Sequence, residues 1–211
     1  MNCLAEERFQ LGVFGGTFNP PHIGHILAAR NAADELGLDR VLLIPDYLPP
    51  HKETAAGSPT AEQRFEMVRL ACLEDPRLKP DDCEIRRGGR SYTVDTLTEL
   101  HERYPNADLT FLCGTDMFLT LHQWYRAETL LKLARFAVAP RTCGGDESLR
   151  KQAEYLADRY HADTVVLHTP VHEISSSEIR EGLLNGKMTG LTERVSAYIR
   201  ENSLFCIGSD A

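Results

Sequence analysis

The chain has no C-x-x-C pair; its six cysteines stand apart, at positions 3, 72, 83, 113, 143 and 206. That spacing excludes the common zinc and dithiol motifs and reads as free thiols in a reducing compartment. No apolar run approaches the ~20 residues of a membrane span, and residues 1–8, MNCLAEER, have neither the basic start nor the apolar stretch of a signal peptide. A cytoplasmic protein with no membrane partner is the expectation. Basic residues are in deficit, 23 Lys and Arg against 31 Asp and Glu, for a net charge of −8 and a pI near 5.5. Such a surface repels polyanions and argues against a nucleic-acid partner, although a local pocket of amides and cations can still take a small phosphate-bearing molecule. What is present suits a globular fold: 211 residues, 42% of them hydrophobic and 26% charged, fit one domain over residues 1–211 with a small helical part from about 175.

Short apolar runs alternate with longer helix-period segments, the trace of a mostly parallel sheet with helices on both faces. Candidate strands are 10–14, 40–44, 82–86, 108–113, 135–139 and 163–168. Between the first two, Ile23, Ile26, Leu27, Ala33 and Leu36 recur at helical spacing and stop at Gly37, a natural C-terminal residue. Further helices are predicted over 60–74, where Thr60 and Gln63 suit a capping box, and over 93–103, 146–160, 176–184 and 192–202. The proline-rich stretch from Pro45 to Pro59 is long for a strand-to-helix connection, and such loops are more often functional than incidental.

After the first strand comes Gly15-Gly16-Thr17-Phe18-Asn19-Pro20-Pro21-His22-Ile23-Gly24-His25. Two glycines predict a sharp turn with inward amides, and a helix starting near Pro21 or His22 offers unpaired N–H groups to an anion. His22 and His25, three apart, project from the first helical turn beside those amides, and Gly24 leaves room for a ligand. A strand-turn-helix with two glycines is common, and this one matches neither G-x-G-x-x-G nor the P-loop. Metal ligation by the histidines, for which no third ligand stands nearby, and simple helix capping are the alternatives. A second anion-binding device is Ser175-Ser176-Ser177 opening a helix with Arg180 near its first turn; a plain N-cap followed by a surface arginine is the bland version. Asp116 follows Gly114 at a strand end, where an open α/β sheet presents ligand contacts, and a solvated loop carboxylate is its alternative.

The run GGTFNPPHIGH resembles the H-x-G-H signature of the nucleotidyltransferase superfamily, and further segments are similar to those of bacterial nicotinate-nucleotide adenylyltransferases. Those segments are Ile44-Pro45 with Pro49-Pro50-His51-Lys52, Ser91-Tyr92-Thr93 with Thr96-Leu97, Gly114-Thr115-Asp116, Trp124-Tyr125, Ile174 to Arg180, and Val195 to Ile199. The likeness runs from Gly12 to Phe205. Asn19 stands where many members carry Asp, and Ser177 where Thr is frequent. Pantetheine-phosphate adenylyltransferases and glycerol-phosphate cytidylyltransferases share the first motif, yet are shorter and lack the combination of the Pro-Pro-His-Lys, Ser-Tyr-Thr and Trp-Tyr segments.

The resemblance implies a Rossmann-like, doubly wound α/β fold and transfer of AMP from ATP to nicotinate mononucleotide, giving nicotinate adenine dinucleotide and pyrophosphate with magnesium (Mg2+). It places the amides of Gly15, Gly16 and Thr17 with His22 and His25 around the ATP phosphates, the histidines acting as donors. Ser175, Ser176, Ser177 and Arg180 would face the outer phosphates, Gly114 and Asp116 the ribose, and Lys52 would reach in from the proline-rich loop. Trp124, otherwise a candidate for the core, would stack on the pyridine ring, with amides near Tyr92, Thr93 and Tyr125 clamping its carboxylate. Mg2+ would ride mainly on the ATP phosphates, with no protein ligands assigned. A non-catalytic nucleotide sensor is the competing reading, and an oligomer is left open. Arg86, Arg87 and Arg90 read as a solvated turn, and His101, His122, His161, His168 and His172 carry no role.

Overall fold

The computed structural model of the chain describes residues 8–49, 57–140, 147–170 and 174–205. Among them the strands are β1 (Phe9–Gly16), β2 (Arg40–Pro45), β3 (Leu78–Pro80), β4 (Ala107–Cys113), β5 (Arg135–Val138) and β6 (Thr164–Val166). They form one parallel sheet in the order β3-β2-β1-β4-β5-β6. The helices are α1 (Ile23–Leu36), α2 (Ala61–Ala71), α3 (Cys83–Arg87), α4 (Thr93–Arg103), α5 (Thr115–Leu119), α6 (Ala127–Leu130), α7 (Glu147–Tyr160), α8 (Ser176–Leu184) and α9 (Glu193–Glu201).

Because successive strand side chains point to opposite faces, each strand feeds two cores. Val41 and Leu43 of β2 join Ile26, Met67, Ile179 and Val195, so α1, α2, α8 and α9 cover one face. Leu42 and Ile44 of the same strand join Leu97, Phe111, Phe136 and Leu149, so α4 and α7 cover the other. The C-terminal helices α8 and α9 thus share a core with α1 and α2. Gly12 of β1 is required by close packing: a Cβ there would lie 2.9 Å from Leu38 Cδ1 and 3.0 Å from Val41 Cγ2.

Strand order reverses between β1 and β4, and the register shows the consequence. Pairing of β1 with β2 continues to Gly16 opposite Pro45, whereas pairing with β4 ends at Val13 opposite Phe111. Residues 14–16 therefore leave one edge open at the carboxyl end of the sheet, the switch-point crevice where doubly wound proteins bind ligands.

The helix ends follow their sequence signals. Gly37 sits in the left-handed region at φ 63° and closes α1, and Thr60 and Gln63 exchange both capping-box hydrogen bonds, at 3.2 and 2.9 Å. The strand expected over 82–86 is instead α3. The Asp81 carboxylate accepts the Cys83 amide at 3.0 Å and starts the helix, Gly88 at φ 67° ends it, and adjacent Cys83 and Glu84 are both buried, which a half-buried strand would not allow. The actual third strand, Leu78–Pro80, is three residues ending in proline, too short to show alternation. The helix expected over 60–74 ends at Ala71 and passes into a 3-10 turn, Cys72–Glu74. Cys72, Cys83 and Cys113 are buried free thiols, and burial pushes the Cys72 thiol up to about 12; the other three cysteines lie outside the described residues. Among the described residues no helix is long and apolar enough to cross a membrane.

Candidate active site

The first loop departs from expectation in its backbone. Gly15 and Gly16 are not the turn: they finish β1, neither has a positive φ, and the chain reverses at Phe18, at φ 48°. Their contribution is space, since a Cβ on either would only touch Phe111 at 3.6 Å or Phe18 at 3.5 Å, leaving the crevice side clear. Nor is the start of α1 wholly open to an anion. The Ile23 amide donates to the Gly190 carbonyl at 2.9 Å, so a loop from the far end of the chain has taken the first helical donor.

The loop's carbonyl side is locked from below by two residues that sequence reasoning missed. Arg64, in the middle of α2 and 2% exposed, donates from Nη1 to the Thr17 carbonyl at 2.8 Å and to Asp46 Oδ1 at 3.0 Å. Its Nη2 donates to the carbonyls of Asp46 at 2.7 Å and Tyr47 at 3.2 Å. Asp46 in turn accepts the Thr17 hydroxyl at 2.8 Å, and its amide donates to the Gly16 carbonyl at 3.0 Å. With the carbonyls of Gly16 and Thr17 and the Thr17 hydroxyl all held, the Thr17 hydroxyl serves the loop rather than facing a ligand. A charged residue amid Ala61, Met67, Val68 and Ala71 was the available signal, because a buried arginine needs several fixed acceptors.

His22 and His25 lie ring against ring, centroids 3.6 Å apart, inside a wall made by Phe14 and Phe18. The His22 amide donates to His25 Nδ1 at 3.2 Å. A neutral His25 whose Nδ1 accepts must carry its proton on Nε2, so that nitrogen is a donor. Burial lowers His22 to about 4, and burial together with neighbouring His22 holds His25 well below its ordinary value. Both imidazoles are therefore neutral near pH 7. His22 Nδ1 and Asn19 Oδ1 are buried without a partner among the described residues, although Asn19 Nδ2 donates to Ser58 Oγ at 3.3 Å. Buried polar atoms are nearly always paired, and both of these lie in the loop that carries the histidine pair.

Helix α8 delivers its N-terminus to this loop. Arg180 Nη1 donates to the Asn19 carbonyl at 2.8 Å and Nη2 to Ser177 Oγ at 3.0 Å. The Ser176 hydroxyl donates to the Pro20 carbonyl at 3.1 Å, and the Ser175 hydroxyl caps Glu178 in a reciprocal box. All three serine hydroxyls thus hold the loop or the helix, so what α8 offers an anion is its first amides and the rest of the Arg180 fork.

Across the crevice, Tyr92, Thr93, Trp124 and Tyr125 come together. Tyr92 is the N-cap of α4, Thr93 its first residue, and the Tyr125 ring lies 4.4 Å from that of Tyr92. Trp124 follows the 3-10 turn Leu121–Gln123 and rests edge-on against Phe111 at 6.2 Å, half in the core and half out. Gly114 and Asp116 are exposed at the end of β4, where a Cβ on Gly114 would meet nothing within 4 Å. Lys52 lies outside the described residues. Arg87 is not a solvated turn residue, since it bonds Glu99 at 2.9 Å and Thr96 at 2.7 Å.

Among the described residues, no group of three or more His, Cys, Asp or Glu is disposed to hold a metal ion. A parallel doubly wound sheet with neutral imidazoles, a guanidinium and helix amides gathered at its switch point defines a nucleotide-binding α/β enzyme. Comparison with known proteins agrees in fold: nicotinic acid mononucleotide adenylyltransferase of Plasmodium falciparum complexed with NaAD superposes with a TM-score of 0.74 at 19% identity, over 93% of this chain and 97% of that one. The same Plasmodium enzyme complexed with APC gives 0.72 at 18% identity, over 94% and 98%. Probable nicotinate-nucleotide adenylyltransferases from Neisseria meningitidis (39% identical, covering 93% of this chain and 98% of the relative) and Gloeobacter violaceus (40%, 96% and 98%) are similar in sequence. The cytidylyltransferase-like family matches residues 13–182, and within it the chain belongs to the nicotinate-nucleotide adenylyltransferase family.

Proposed function

We propose that the protein transfers AMP from ATP to nicotinate mononucleotide, forming nicotinate adenine dinucleotide and pyrophosphate. The observation that carries this reading is the junction of the histidine loop with α8, where Arg180 Nη1 meets the Asn19 carbonyl at 2.8 Å in the loop that carries the neutral histidine pair. Family membership supplies the substrate class. A phosphate oxygen of the mononucleotide attacks the α-phosphorus of ATP; that O–P bond forms as the α,β-bridging P–O bond breaks and pyrophosphate leaves. The attacking phosphate has a second pKa of ~6, so near neutral pH it needs no general base. Catalysis is then positioning plus donors aimed where charge builds, the usual devices of phosphoryl-type transfer.

In this reading His25 Nε2 and His22 donate to the phosphates as neutral imidazoles, and Arg180 adds charge beside the departing pyrophosphate. Mg2+ fits the site as a phosphate-borne ion: the unpartnered acceptor at the loop is the neutral Asn19 Oδ1, and a hard cation that keeps waters and phosphate oxygens needs no more from the protein. When bound it neutralises charge on the phosphate chain. The cytoplasm is the compartment this function assigns.

The test is pyrophosphate release from ATP and Mg2+ with each acceptor: nicotinate mononucleotide, nicotinamide mononucleotide, phosphopantetheine and glycerol phosphate. Release with nicotinate mononucleotide well above the others is expected. ATP binding without release for any acceptor would instead favour a nucleotide sensor.

A further inference from the structure

Glu84 is 7% exposed on α3, and a hydroxyl of α4 reaches its carboxylate. The Thr96 hydroxyl donates to Oε1 at 2.5 Å while accepting Arg87 Nη2 at 2.7 Å. The Ser91 hydroxyl accepts the Tyr47 amide at 2.9 Å, tying the residue before Tyr92 to the chain after β2. A hydroxyl has one hydrogen to give, and that of Thr96 already takes an N–H from Arg87, so the Glu84 carboxylate is the acceptor that fixes it.

Ser91 and Thr96 flank Tyr92, the N-cap of α4. The Tyr92 side chain makes no capping bond, and the first intrahelical donor is the Asp95 amide, bonded to the Tyr92 carbonyl at 3.0 Å. The amides of Thr93 and Val94 precede that bond, and a helix leaves such groups to be met from outside. Glu84 therefore holds the first turn of α4 beside the amides that the acceptor reading aims at the pyridine carboxylate.

We propose that Glu84 is a positioning residue for acceptor specificity: without touching substrate, it holds the α4 terminus so that its amides present donors alone to the ring substituent. The proposal rests on the acceptor reading given above. A rigid set of N–H donors rejects a carboxamide, whose NH₂ confronts another donor, whereas a terminus free to turn offers a carbonyl or water instead.

The experiment measures kcat/KM for nicotinate and nicotinamide mononucleotides at saturating ATP, together with KM for ATP and Tm, in wild type, Glu84→Gln and Thr96→Val. Glu84→Gln should lower the nicotinate-to-nicotinamide ratio about 10-fold, the loss of one charge-assisted hydrogen bond, mainly through KM for the nicotinate substrate. KM for ATP should stay within about 2-fold, a split that general loss of stability would not produce. A folded Glu84→Gln enzyme with the wild-type ratio overturns the proposal. Should that variant fail to fold, Thr96→Val, which removes only a hydroxyl from the same junction, carries the same expectation and the same overturning result. Wild type without any preference overturns the acceptor reading and this proposal with it, a result distinct from a preference that survives in the variants.

Discussion

His25 is a donor because of one backbone hydrogen bond: the His22 amide occupies Nδ1 and leaves the proton on Nε2. Replacing it by alanine removes a preorganised donor, which typically costs about 10²- to 10³-fold in turnover. Steady-state kinetics on folded His25→Ala should show that loss in kcat, and near-normal turnover would remove the imidazole from the chemistry. The same burial has a thermodynamic signature. His22, at about 4 when folded, binds fewer protons than the unfolded chain below the ordinary histidine value of 6.5. Folding stability should therefore be unaffected above pH 6.5 and fall as pH drops from 6.5 towards 4, by up to about 1.4 kcal/mol per pH unit for such a group. Urea unfolding across that window checks it, and His22→Asn should flatten the slope. Arg64 makes a third case: Arg64→Met leaves Asp46 as a buried charge without its partner, an error that costs about 3–5 kcal/mol. Denaturant midpoints would show the loss, and Asp46→Asn made in the same background should recover part of it.

The serine hydroxyls at the N-terminus of α8 are already engaged, so in the proposed reading Arg180 is the side chain left to meet the outer phosphates. Arg180→Ala should weaken ATP by one to two orders of magnitude, the worth of a charge-assisted bond of about 1.5–3 kcal/mol, while AMP loses little. Parallel titrations of the two nucleotides read this, and equal weakening would rule out an outer-phosphate role. Helices of this kind were visible in advance because their ends are written locally, as in Thr60 with Gln63, Gly37 after Leu36, and Ser175 with Glu178. Residues 82–86 misled because a strand signal and a helix signal coincide in so short a run, and the Asp81 cap and Gly88 decide it. The histidines, Arg180 and the Tyr92–Tyr125 seat were legible as motifs. Arg64, Asp46 and Glu84 were not, since their importance lies in partners 12 to 47 positions away that only the folded chain brings to them.

At the scale of the molecule, two cores share one sheet, and the single tryptophan reports on one of them. Trp124 packs with the α4–α7 face, while α8 and α9 belong to the other. Because strands such as β2 feed both, thermal unfolding followed by tryptophan fluorescence and by far-ultraviolet circular dichroism should give coincident midpoints. A separate early transition in the dichroism alone would show that the C-terminal helices melt independently. The pairing of Ile23 with Gly190, and of Asn19 with Arg180, also sets a schedule for biosynthesis. The histidine loop is synthesised well ahead of its partners, Arg180 lying 161 positions beyond Asn19. At about 5–20 residues per second the loop waits on the order of ten seconds for the residues that complete it. Nascent chains that stop short of Arg180 and Gly190 would thus lack the partners of the histidine loop, and a nucleotide held there could stabilise the chain only after those residues have been made.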